Sequence, residues 1–339
     1  MKKRSPSQAN QGRIVVVGGG TGLSTLLRGL KQYVQRPHES GRHPIEDLVA
    51  VVTVTDDGGS SGRLRRDYRI LPPGDIRNCM VALSDDEALM SRLFQYRFDA
   101  GRGLRGHSFG NLFLTALTSV TGDFADAVRL SGQVLAIRGR IYPCTTKNVA
   151  LEAVMEDGRV VQGETRIPKA RGRIARVRLL PRRARPLAEA LEAIRHASLI
   201  VLGPGSLYTS IIPNLLISGV TDAIAQSRAS CVYINNLMTQ PGETRGYTAA
   251  DHVRAIYKHT GKRIIDWVIV NHQQPSASLA RRYRVQGAEP VRVDVQELQR
   301  LGVRCVFDDL LDEHSVVRHN PSRLARLLVE EFVERRPPR

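Results

Sequence analysis

An unbroken apolar stretch, Ile14–Val15–Val16–Val17, runs straight into Gly18–Gly19–Gly20–Thr21–Gly22 and then into a helix-like segment at 23–30. A strand with no polar alternation is buried on both of its faces. Glycines that close such a strand and open a helix mark the strand–loop–helix unit from which parallel sheets are built. The glycines also let an anion approach main-chain N–H groups at the helix N-terminus.

The same arrangement recurs along the 339 residues. Residues 48–54 read as a second buried strand, ending in Asp56–Asp57–Gly58–Gly59–Ser60–Ser61–Gly62. Residues 199–202 lead into Gly203–Pro204–Gly205–Ser206, and 231–235 into Asn236–Leu237–Met238–Thr239–Gln240. Further strands are expected at 267–271, 291–293 and 304–307, and helices at 75–83, 87–98, 111–118 and 187–196. This alternation predicts an α/β, Rossmann-like fold, with a mainly parallel sheet and helices on both faces. Short strands at 133–137, 150–155 and 159–164, the last two joined by an Asp157–Gly158 hairpin, interrupt it. With the basic stretch after them they form a small β-rich insertion at about 138–185. The expected organisation is a disordered basic leader at 1–12, one domain at 13–333 and a tail at 334–339.

The formal net charge of +17 raises the question of a nucleic-acid partner, because clustered Lys and Arg neutralise phosphates. Much of the excess lies at 159–185, including Arg171, Arg173, Arg176, Arg178, Arg182, Arg183 and Arg185. No aromatic RNA-binding signature is interleaved there, so a solvated basic face is the preferred reading and nucleic acid is not an expected partner. The four cysteines are far apart and form no CxxC pair, which points to a reducing compartment rather than a disulfide framework. No apolar run approaches the roughly 18 residues that span a bilayer, and the N-terminus has no signal-peptide core. A cytoplasmic protein without a membrane span is expected.

Two adjacent carboxylates at a strand end, Asp56 and Asp57, repel unless a cation or donors compensate. Oxygen ligands of this kind suit Mg²⁺ shared with phosphates, although a solvated turn would also accommodate them. Asp75, in Pro72–Pro73–Gly74–Asp75–Ile76–Arg77–Asn78, is either an N-cap or a third carboxylate for the same ion. Asp56, Asp57 and Asp75 are therefore the metal candidates, with Arg77 facing a phosphate. A nicotinamide fingerprint is disfavoured, since a G-x-G-x-x-G frame places Leu23 or Thr25 where its last glycine belongs. Candidate nucleotide contacts in the loops are Gly19, Gly20, Thr21, Gly22, Asp56, Arg77, Asn111, Gly205, Ser206, Asn236 and Thr239. The four polar loops that follow strands, at 18–22, 56–62, 203–206 and 236–244, are expected to meet on one rim.

Taken in order, Gly18–Gly22, Asp56–Gly62, Gly74–Asn78, His107–Asn111, Gly203–Ser210 and Asn236–Thr244 resemble the YvcK-type gluconeogenesis factors. These belong to the superfamily that includes the 2-phospholactate transferase CofD. The resemblance covers residues 14–333. It implies a Rossmann-like fold, a UDP-sugar ligand such as UDP-N-acetylglucosamine or UDP-glucose, and a homodimer. It further implies a role in cell shape and envelope growth under gluconeogenic conditions, with no established catalytic reaction. By similarity Thr21 lies in the nucleotide pocket, and Tyr283 and Arg318 contact the uridine sugar. If the chain is instead a transferase of the CofD kind, Asp57 and Asp75 are the catalytic candidates.

Overall fold

The computed structural model describes residues 12–35, 43–85, 87–313 and 316–335. Its centre is a seven-stranded sheet of order β10-β9-β8-β7-β1-β2-β3, with every neighbouring pair parallel. The strands are β1 (Gly12–Gly18), β2 (Ile45–Val52), β3 (Arg140–Pro143), β7 (Leu199–Leu202), β8 (Ser230–Ile234), β9 (Trp267–Asn271) and β10 (Arg304–Asp308). All residues of β7 and β8 are buried, as a strand covered by helices on both faces requires. An antiparallel sheet of order β5-β4-β6 stands apart, built from β4 (Ala150–Met155), β5 (Val160–Gln162) and β6 (Ile174–Leu180). A short ribbon pairs β11 (Leu311–Glu313) with β12 (Val317–His319). The expected α/β architecture with a small β-rich insertion is what the chain adopts.

The first helices are α1 (Gly20–Leu30), α2 (Gly59–Tyr68), α3 (Gly74–Leu83), α4 (Glu87–Gln95), α5 (Phe109–Thr121) and α6 (Phe124–Val134). Helix α1 buries Leu23, Leu26, Leu27 and Leu30 on one stripe and packs on α3 and on the helix Pro321–Leu328. Among the described residues no single helix is long and apolar enough to cross a membrane.

Several expected elements differ. Residues 133–137 are not a strand. Asp123 caps α6, whose buried Phe124, Ala127, Val128 and Ser131 follow helical spacing, so Gln133 and Val134 are its last turn. Ile137 then makes only a single antiparallel bridge, with Ser84. Residues 291–293 form no ladder either, because Pro290 and Arg292 make isolated bridges to Met238 and Thr248. Residues 140–143, placed at the start of the insertion by sequence, are strand β3 of the main sheet. Gly12 already pairs in β1, and the rest of the expected leader lies outside the described residues. At the other end helical backbone continues to Glu334, and 336–339 lie outside them as well.

Candidate functional site

From β1 the chain steps outward through β2 to β3, then crosses back to lay β7 against the other side of β1. The strand order reverses between β1 and β7, and the loops leaving those two strands flank a crevice at the carboxyl edge of the sheet. Such switch points are where open α/β sheets bind ligands. Gly22 allows the two loops to touch: a Cβ there would lie 2.4 Å from the Pro204 carbonyl oxygen. Helix α1 begins with Gly19 as its N-cap, no capping side chain and no acid in its first turn. The Asp75 carboxylate of α3 takes the Gly20 N–H, and the N–H groups that follow it, with the helix dipole, face the crevice.

A cleft of about 320 Å³ opens here, and its lining includes Gly19, Gly20, Thr21, Gly22, Gly205, Ser206, Asn236, Thr239, Tyr283 and Arg318. Ten of the thirteen candidate nucleotide contacts thus meet in one place. Hydrogen bonds fix the wall opposite α1. Asn236 Nδ2 donates to the Gly205 carbonyl at 3.0 Å, and Gln240 Nε2 to Ser206 Oγ at 2.8 Å. Thr239 exchanges both of its bonds with the backbone of Glu289, at 2.7 and 3.0 Å, which makes it a strut of the wall. Tyr283 Oη accepts from the Val317 N–H at 2.9 Å and holds the β11–β12 ribbon beside the cleft. Arg318, on that ribbon, is exposed and has no ion-pair partner among the described residues.

Two buried polar atoms in this lining have no hydrogen-bond partner among the described residues: Gln240 Oε1 and His319 Nε2. Burial pushes His319 down to about 4, while its other ring nitrogen bonds the Asn235 carbonyl. The imidazole is therefore neutral near neutral pH, and Nε2 is left as an acceptor. An unsatisfied buried polar group is costly, roughly 1–3 kcal/mol, unless a ligand or water bonds it. Neither Gln240 nor His319 was singled out by sequence reasoning. Gln240 lies inside the Asn236–Thr244 motif and His319 next to Arg318, but only the folded chain turns them to the cleft.

Next to the glycine loop lies an acidic group. Asp75 does not cap its own helix. Helix α3 starts after Pro73, and the Asp75 carboxylate instead accepts the Gly20 N–H of α1. Burial first, and Asp56 as well, raise its pKa to about 6, against the lowering effects of Gly20 and Arg77. Glu164, from the insertion, rises to about 8 through burial and the carboxylates Asp56, Asp75, Asp57 and Glu243. Asp56 accepts from the Gly58 N–H at 2.8 Å, an Asx turn. Asp57 is held by Thr165 of the insertion, through its N–H at 3.0 Å and its hydroxyl at 2.7 Å.

No three His, Cys, Asp or Glu side chains among the described residues form a group that could hold a metal. Asp56, Asp57 and Asp75 are thus neighbours without forming a ready-made ligand trio, because Asp57 already serves Thr165. One or two carboxylates completed by phosphate oxygens still fit how Mg²⁺ is commonly held. Arg77 and Asn111 sit behind this group, outside the cleft lining. Arg77 donates to Ser108 Oγ at 2.6 Å and Asn111 Oδ1 at 3.2 Å, and Asn111 Nδ2 to Ser60 Oγ at 3.1 Å. Ser60 in turn bonds His107 Nδ1 at 2.9 Å. This network fastens the Asp56–Gly62 loop to α3 and α5.

Comparison with known proteins matches residues 14–311 to a family described as 2-phospho-L-lactate transferase CofD. The gluconeogenesis factor of Bacillus subtilis is 49% identical, over 95% of this chain and 98% of its own length. That of Halalkalibacterium halodurans is 50% identical, over 94% of this chain and 95% of its own. The crystal structure of a UPF0052 family member from Bacillus halodurans superposes with a TM-score of 0.89 at 49% identity. It covers 94% of this chain and 99% of that one.

Proposed function

This chain belongs to the 2-phospho-L-lactate transferase CofD family, and from that premise we propose that it is a cytoplasmic UDP-sugar-binding protein that acts without catalysis. In this reading, ligand occupancy couples metabolite supply to cell shape and envelope growth under gluconeogenic conditions, and the protein works as a homodimer. The observation that carries it is the switch-point cleft itself. Gly19–Gly22 and the α1 N-terminus suit a diphosphate. Tyr283 offers a ring for the base, Arg318 a guanidinium for phosphate oxygens, and His319 Nε2 an acceptor for a hydroxyl or base N–H.

UDP-N-acetylglucosamine is the probe. A ligand at about 100 times its Kd stabilises the folded state by about 2.7 kcal/mol, which for a chain of this size is a rise of about 4 °C in Tm. Arg318→Ala is expected to weaken that binding about tenfold or more while leaving the unliganded Tm unchanged. Wild-type protein with neither calorimetric heat nor a Tm shift for any UDP-sugar would remove this reading.

The acidic group beside the glycine loop favours a second reading, an Mg²⁺-dependent transferase of the CofD kind. A bound cation would supply neutralisation of the diphosphate. Asp56 and Asp75 would hold it with phosphate oxygens, and Asp57 would orient the acceptor. Its test is product formed from a guanosine diphosphate donor in Mg²⁺, lost in Asp57→Asn. An absence of turnover with wild-type enzyme removes it.

A further inference from the structure

Within the basic stretch at 159–185 the fold sets two groups of side chains apart from the rest. Arg159 pairs with the exposed Asp157, and Arg178 pairs with the buried Glu152 across β6 and β4 of the small sheet. Lys169, Arg171 and Arg173 have no ion-pair partner among the described residues, and they line a chamber of about 810 Å³ together with Arg245. Its walls are three loops: residues 168–173 of the insertion, residues 241–247 beyond β8, and residues 286–289 beyond the helix Ala277–Val285.

These walls are locked to each other. Gly242, at φ +85°, sets its backbone directly on that of Pro168, where a Cβ would lie 1.9 Å from the carbonyl oxygen. Residues 167–169 are a tight helical turn, and the N–H groups of Glu243 and Thr244 both return to the Gln240 carbonyl at 3.0 and 2.9 Å. The chamber carries two carboxylates. Glu243 is buried and accepts from the Tyr208 N–H at 3.1 Å and Thr209 Oγ1 at 2.9 Å, leaving Glu289 as the exposed one. Four cations converging on one concave space, against one exposed carboxylate, repel each other unless an anion joins them.

We propose that this chamber is a second ligand site, distinct from the nucleotide cleft, that takes a small metabolite bearing two or more phosphate groups. Its volume is that of a small-molecule site, and its guanidinium groups supply the forked donors that phosphate geometry selects. Pro241 and Gln286 line both spaces, so the two ligands would share a wall. The proposal stands on the chamber alone and holds whether or not the cleft takes a UDP-sugar.

Inorganic pyrophosphate, titrated into the full chain by calorimetry at low salt, is the test. Wild-type protein is expected to bind it, and Arg171→Ala/Arg245→Ala to bind it about tenfold or more weakly with Tm unchanged. Lys169→Ala/Arg173→Ala, a second exposed pair on the same chamber, is expected to behave likewise. Arg182→Ala/Arg183→Ala, exposed arginines of the same run that line neither the chamber nor the cleft, is expected to leave pyrophosphate binding as it was. UDP-N-acetylglucosamine titrated into the same proteins reads the cleft separately. No pyrophosphate binding by wild type at millimolar concentration overturns the proposal. So does binding lost in Arg318→Ala but kept in both double variants, which would place the anion in the cleft. So, too, does a single-stranded RNA oligonucleotide that binds through these residues where pyrophosphate does not.

Discussion

Gly22→Ala is expected to lower stability by about 2–3 kcal/mol and to abolish binding in the switch-point cleft. The added Cβ would lie 2.4 Å from the Pro204 oxygen, 2.8 Å from its carbonyl carbon and 3.2 Å from the Gly205 nitrogen. All three are backbone atoms, so no flexible side chain can swing clear. Helix α1 cannot retreat either, because Leu23, Leu26, Leu27 and Leu30 are fully buried against the core. The loop after β7 must move, and with it Gly205 and Ser206, which Asn236 and Gln240 hold in the cleft wall. Urea unfolding with ligand calorimetry on the same variant is the check. An unchanged midpoint with unchanged ligand affinity would show that the loops are not packed as described.

The second large effect concerns acid. His252 is completely buried, and burial pushes it down to about 4 against the raising effects of the Thr248 carbonyl, Asp251 and Asp294. Its Nδ1 bonds Thr248 O at 2.8 Å, and Nε2 has no partner between the rings of Tyr233 and Tyr247. Unfolded, the imidazole titrates near 6.5. Between that pH and about 4 the unfolded chain binds a proton that the folded chain refuses, so stability falls as pH falls through this window. The full loss is about 3 kcal/mol for this one group. His319, also at about 4, acts in the same direction.

Asp75, Glu164 and Glu243, whose pKa values are raised, work oppositely, because folding favours their protonated forms and gains as pH falls. The measurement must therefore isolate one imidazole. Urea unfolding of wild type and of His252→Asn, which keeps a donor for Thr248 without titrating, is expected to give curves that converge on acidification. Wild type should lose about 3 kcal/mol more than the variant between about pH 7 and pH 4. Parallel curves would contradict a neutral, buried His252.

The loops of the cleft were legible because the chemistry that makes a loop is local. Gly18–Gly22 and Gly203–Ser206 cannot continue a strand and must turn, whatever surrounds them. Local signals misled where one residue pattern serves two structures. The apolar run at 134–137 suits a strand or a helix end equally, and the Asp123 cap and the stripe back to Phe124 decided for helix. Asp75 had the right place and type for an N-cap, yet its carboxylate found the Gly20 N–H, nearer in space and far in sequence. Arg77 and Asn111 likewise answer to Ser60 and Ser108 across the fold.

What the chain determines by itself is its inventory: buried parallel strands, the glycine turns that end them, a hairpin insertion and a surplus of arginine. These follow from hydrophobic period and backbone sterics, which act over a few residues. Strand order belongs to the tertiary structure alone. Setting β7 rather than β2 on the far side of β1 brings residues 19–22 and 203–206 together, and seats Tyr283, Arg318 and His319 opposite them. From one run of basic residues the same folding draws the ion pairs of the small sheet and a chamber of cations with no ion-pair partner among the described residues. Such groupings depend on which distant backbones pack, and packing is decided by the whole core at once.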